Sequence, residues 1–81
     1  MITTNSYIIR FTTPNIMEGA VYQFQSALDI VGADQLDARE IMDCIFSACA
    51  RDFQKARGFS VEKNQIRLEF IALVNIKKTR K

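Results

Sequence analysis

From Ile66 to Lys77 the chain alternates over 12 residues: Ile66, Leu68, Phe70, Ala72, Val74 and Ile76 face one way, and Arg67, Glu69, Ile71, Leu73, Asn75 and Lys77 the other. A period of two sustained this far reads as a strand, and at about 3.3 Å per residue it runs to near 40 Å, roughly twice the usual length. Such a strand needs a partner for its backbone donors and acceptors and cover for its apolar row. The second alternating run lies between Ser6 and Thr12, where Tyr7, Ile9 and Phe11 take one side and Ser6, Ile8, Arg10 and Thr12 the other. Pairing residues 6–12 with 66–77 in the antiparallel sense is the simplest sheet these two runs can make.

The segment between them reads as two helices. Thr13-Pro14 breaks the first strand, and Asn15 followed by Glu18 has capping-box spacing for a helix over 16–31. Its apolar positions Met17, Ala20, Val21, Phe24, Ala27, Leu28 and Val31 recur at three and four, and Gly32 is placed to end it in the left-handed conformation. Its other face carries Glu18, Tyr22, Gln25 and Asp29, a candidate partner-binding set, with Tyr22 as the anchor because tyrosine is enriched at interfaces. The second helix, 38–57, is announced more strongly. Asp37 and Glu40 repeat the capping box, Leu36 and Ile41 hold the positions of a hydrophobic staple, Arg51, Lys55 and Arg57 suit the negative end of the helix dipole, and Gly58 supplies the stop. A polar loop over 59–65 has room for a short extra strand at 59–61, and a basic tail occupies 77–81. The expected fold is one α+β domain over residues 1–81, in strand-helix-helix-strand order, with antiparallel strands packed on a helical hairpin in two layers.

At 81 residues the chain buries only about 60% of the surface its unfolded form exposes, so a disulfide, a metal or a second subunit is the usual supplement. Cys44 and Cys49 lie five apart on one helix, about 140° around its axis, and do not easily bond each other. With no histidine and no further cysteine, one chain cannot assemble a zinc site, and reduced core thiols are the expected state. That leaves a partner subunit, either a second copy or an obligate contact with another chain. The second helix is apolar over more than half its circumference, with small residues Cys44 and Ala48, and Ile71, Leu73 and Ile8 form an apolar patch on the outer face of the ribbon. Completion by a homodimer through Ile8, Ile71, Leu73, Cys44 and Ala48 follows as an expectation.

The inventory of side chains speaks against catalysis. Without histidine, a general base near neutral pH must be a carboxylate or lysine with a strongly shifted pKa, and a thiol nucleophile has no imidazole to activate it. No glycine-rich phosphate loop, serine elbow or calcium-loop order occurs, so neither an enzyme nor a cofactor nor a metal is expected. The leading Met1 to Ser6 is too polar for a signal peptide and no apolar run nears the roughly 18 residues of a membrane span, so no membrane association and a cytoplasmic location are expected. The net charge of +2 conceals an asymmetry. Residues 1–38 hold one basic residue against four acidic ones, and residues 39–81 hold ten basic against five acidic. Lys77, Lys78, Arg80 and Lys81, with Arg67, form the densest positive patch, suited to phosphate or an acidic protein surface.

A short strand, Tyr7-Ile8-Ile9-Arg10-Phe11, followed by two helices resembles the layout of ribbon-helix-helix repressors over roughly residues 6 to 57. Those dimers insert a paired strand in the major groove, and the resemblance implies Ile8, Arg10 and Thr12 as the outward residues that read base edges. The strand-helix-helix-strand order is also similar to the core of KH domains, but no Gly-x-x-Gly loop joins the helices, so no RNA clamp of that kind is implied. Neither likeness is taken as membership. The leading expectation is a small non-catalytic interaction protein that regulates or inhibits a larger protein or nucleoprotein partner. Inhibitors encoded by phages and other mobile elements, anti-CRISPR proteins among them, are commonly compact and motif-free in this way. The alternative is a dimeric DNA-binding regulator.

Overall fold

The computed structural model describes residues 1–14 and 21–80. Strand β1 (Ile2–Pro14), strand β2 (Val21–Val31), helix α1 (Ala38–Arg57) and strand β3 (Arg67–Thr79) follow in that order, with short 3-10 turns at Ala33–Gln35 and Lys63–Gln65. The three strands form one antiparallel sheet in the order β2-β1-β3, with α1 packed chiefly on β2 and β1. The fold is therefore α+β in two layers, as expected, but among the described residues the helical layer holds one helix. The fully extended strands draw the molecule out to 49 × 20 × 19 Å.

The expected helix over 16–31 is overturned across its larger part, because 21–31 is strand. This stretch satisfies both periods. Val21, Phe24, Ala27, Leu28 and Val31 recur at helical spacing, while Phe24, Ser26, Leu28 and Ile30 alternate and turn toward α1, leaving Gln23, Gln25, Ala27 and Asp29 exposed. The polar residue in the inward row, Ser26, hides the alternation. Its hydroxyl donates to the Asp52 carboxylate of α1, which satisfies a buried polar group and joins helix to sheet. The proposed cap at Asn15 and Glu18 lies outside the described residues. Gly32 is left-handed, with φ 75°, but it closes a strand: its N–H donates to the Thr3 carbonyl at 2.7 Å.

Helix α1 forms where expected and for the expected reasons. Asp37 Oδ1 accepts from the Glu40 N–H at 2.9 Å, Glu40 Oε1 accepts from the Asp37 N–H at 3.1 Å, and Gly58, with φ 80°, donates to the Gln54 carbonyl at 2.7 Å. Its face of Ile45, Cys49 and Phe53 packs with Ile9, Phe11 and Ile66 in the core. Phe24 connects the layers, stacked on Phe11 at 5.5 Å and edge-on to Phe53 at 5.2 Å between ring centroids. Residues 59–61 form no strand. The third strand of the sheet is β2, which pairs with β1.

Two register shifts in the β1–β3 pairing decide which side chains face where. Ser6 pairs with Asn75 but Tyr7 with Leu73, which leaves Val74 as an extra residue. Arg10 pairs with Phe70 but Phe11 with Leu68, which leaves Glu69 as a second. Each bulge inserts one residue and reverses the faces of the residues beyond it relative to a regular strand. Leu68 thus sits beside buried Phe11 on the helix side, whereas Phe70 sits beside Arg10 on the open side. The unbroken alternation of 66–77 is corrected accordingly.

Candidate functional site

The helix side of β3 is the first surface of interest. Ile71, Leu73 and Ile76 are register partners of Ile9, Tyr7 and Asn5, whose row faces α1. Because α1 lies over β2 and β1, this part of β3 runs past its cover, and the three side chains are 38%, 47% and 54% exposed. Tyr7 and Asn5 border the strip and hold each other through an Asn5 Nδ2 donation to Tyr7 Oη at 3.1 Å. Of the expected dimer contacts, Ile71 and Leu73 therefore belong together. Ile8 does not join them, since it pairs with Ala72 on the opposite side of the sheet. Ala48 is buried within the chain's own core, because the broad apolar face of α1 is used in covering the sheet, and Cys44 is half-buried on the same helix.

The open side of the sheet is the second. In register it carries Thr12 with Arg67, Arg10 with Phe70, Ile8 with Ala72, Ser6 with Asn75 and Thr4 with Lys77. Gln23, Gln25, Ala27 and Asp29 of β2 continue these rows. Phe70 is 49% exposed, and the Arg10 guanidinium lies over its ring at 5.6 Å from the centroid. Of the expected partner-binding set, Gln25 and Asp29 are here, four residues apart on a strand and not on a helix. Tyr22 pairs in backbone register with Thr13, and Glu18 lies outside the described residues.

The expected nucleic-acid residues are divided. Arg10, Arg67 and Lys77 share the open side, while Lys78 pairs with Thr3 in the other row and Arg80 follows the strand. Lys77 and Lys78 thus belong to β3, and the basic segment beyond it begins at Arg80; Lys81 lies outside the described residues. Thr12 is buried and offers no hydroxyl to a base edge. The likeness to ribbon-helix-helix repressors fails on geometry. β1 is hydrogen-bonded on both edges inside one chain, so it cannot pair with a second β1 to make a ribbon, and among the described residues one helix follows where two are needed.

The remaining chemistry is modest. The Cys49 thiol is buried, and its pKa is pushed up to about 11 by burial and by the Asp52 carboxylate. An open cleft of about 380 Å³ lies between α1 and the following loop, bordered by Ser47, Arg51, Gln54, Ser60, Glu62 and Lys63. Among the described residues, no group of three metal-ligating side chains occurs and no helix is long and apolar enough to cross a membrane. No protein-family model, no curated protein and no solved structure matches the chain.

Proposed function

We propose that the chain is a small non-catalytic interaction protein that self-associates through the helix side of β3 and regulates or inhibits a larger macromolecular partner. The observation that carries this reading is the apolar strip of Ile71, Leu73 and Ile76, left in solvent where α1 does not reach. A second copy suits it because the strip is self-complementary. With two strips antiparallel about a point between Leu73 and Val74, Ile71 of one copy meets Ile76 of the other. The bulges at Glu69 and Val74 interrupt the β3 edge, which disfavours a continuous ladder between copies and favours contact through side chains.

Magnitudes place this contact in a weak class. Fully burying a large aliphatic side chain is worth roughly 1.5–3 kcal/mol, so each of these half-exposed ones contributes about 1 kcal/mol. Six of them, three from each copy, give about 6 kcal/mol against an association cost of roughly 4–15 kcal/mol. Self-association should then be reversible and lost on modest change. Catalysis has no part in this reading, since the chain has no histidine and the buried Cys49 thiol stays protonated near neutral pH.

Sedimentation velocity over a dilution series tests it. The wild-type coefficient should rise with concentration, and the Leu73→Ser/Ile76→Ser variant should stay at the monomer value. A wild-type protein that sediments as a monomer throughout, or a variant that associates equally well, would sink the reading.

A further inference from the structure

We infer that the open side of the sheet is a binding site for single-stranded nucleic acid, with Phe70 as its stacking platform. The register shift at Glu69 turns Phe70 out of the core row, and bulges commonly re-aim side chains at functional surfaces. The ring is 49% exposed on a side whose neighbouring positions Gln25, Ala27 and Asn75 are also exposed. Every base has a π-face, so an exposed ring on an uncovered sheet face accepts an unstacked base without regard to sequence.

The charges around the ring suit phosphate. Arg10 lies over Phe70 at 5.6 Å, Arg67 pairs with Thr12 in the next row, and Lys77 pairs with Thr4 three rows away on the other flank. At about 3.3 Å per residue, Arg67 and Lys77 stand roughly 26 Å apart along the sheet, with the ring between them. Opposing them are Asp29, which pairs with Ser6, and Glu69 at the bulge. Arg10 can hold a phosphate or stack beside a base, while Gln25 and Asn75 offer amides to base edges. Duplex DNA is a poorer fit, because β1 is fixed in the middle of a three-stranded sheet and cannot enter a groove as a two-stranded ribbon.

This inference is independent of self-association, which uses the opposite side of β3. Fluorescence anisotropy with labelled oligo(dT) and oligo(U) of about 12 nucleotides, alongside a duplex of equal length, tests it at low and raised salt. Single strands should bind in preference to duplex, more weakly as salt rises. Phe70→Ala should weaken binding by roughly 5- to 150-fold, the range for losing one stacked base. Phe70→Leu, which stays apolar without a ring, should weaken it too, and Leu73→Ser/Ile76→Ser should leave it unchanged. Four results would overturn the assignment: no binding at low salt, equal affinity in Phe70→Ala, preference for duplex, or equally Phe70-dependent binding of poly-glutamate.

Discussion

Replacing Phe70 by alanine distinguishes a bulged β3 from a regular one. In a regular strand Phe70 would share the inward row of Ile66 and Leu68, and its truncation would cost the roughly 3–5 kcal/mol typical of a buried phenylalanine. In the structure the ring is 49% exposed. The expected loss is then about half of the 1.5–3 kcal/mol for full burial, plus about 0.5–1 kcal/mol for the Arg10 contact, giving about 1–2.5 kcal/mol. Phe53→Ala is the internal standard. Phe53 is fully buried and edge-on to both Phe24 and Phe59 at 5.2 Å, so its truncation should cost about 3–5 kcal/mol. Against a total stability of about 4–12 kcal/mol for a domain this size, that standard lies close to unfolding. Urea unfolding followed by far-ultraviolet circular dichroism gives both differences, and a Phe70→Ala loss equal to that of Phe53→Ala would refute the bulge.

Deleting Glu69 should preserve the fold, since it leaves Leu68 opposite Phe11 and Phe70 opposite Arg10; a melting temperature close to wild type supports this, and collapse of the fold would mean β3 has no extra residue there. Thr13→Val should hold or raise stability by up to about 1 kcal/mol, because the buried Thr13 hydroxyl has no partner among the described residues; denaturant titration checks it. Ser26→Ala should cost about 1–2 kcal/mol by leaving the Asp52 carboxylate without its donor, and a double-mutant cycle with Asp52→Ala should show coupling between the two. At pH 8 a thiol with a pKa of about 11 is ionised in roughly one molecule in a thousand, so a thiol reagent should modify Cys44 well before Cys49. The unfolded Cys49 ionises near 9.0 and the folded one near 11, so this group's contribution to stability is present below pH 9 and declines up to about pH 11. Denaturation at pH 8 and 10.5 should show a smaller decline in Cys49→Ala than in wild type.

Helix α1 was legible because its ends are written locally, in Asp37, Glu40 and Gly58. β1 and β3 and their antiparallel pairing were legible from period-two runs too long to be chance. β2 was not, since the inward position of Ser26 is understood only once Asp52, 26 residues away, supplies its hydrogen bond. The bulges were not legible either. Glu69 and Val74 are ordinary strand residues with no glycine beside them, and the register is set by what lies across the sheet. The candidate surfaces inherit that difficulty: Ile71 and Leu73 are exposed as expected, but Ile8 lies on the other side, and Phe70 emerges on a surface that alternation had assigned to the core.

Amide hydrogen exchange of wild-type protein at about 1 µM and at a concentration a few hundred times higher locates any self-contact directly. Protection should rise with concentration at Ile71 through Ile76 and stay constant in β2 and in the interior of α1. Concentration-independent exchange along β3, or new protection confined to β2 or α1, would contradict assembly through the uncovered part of β3.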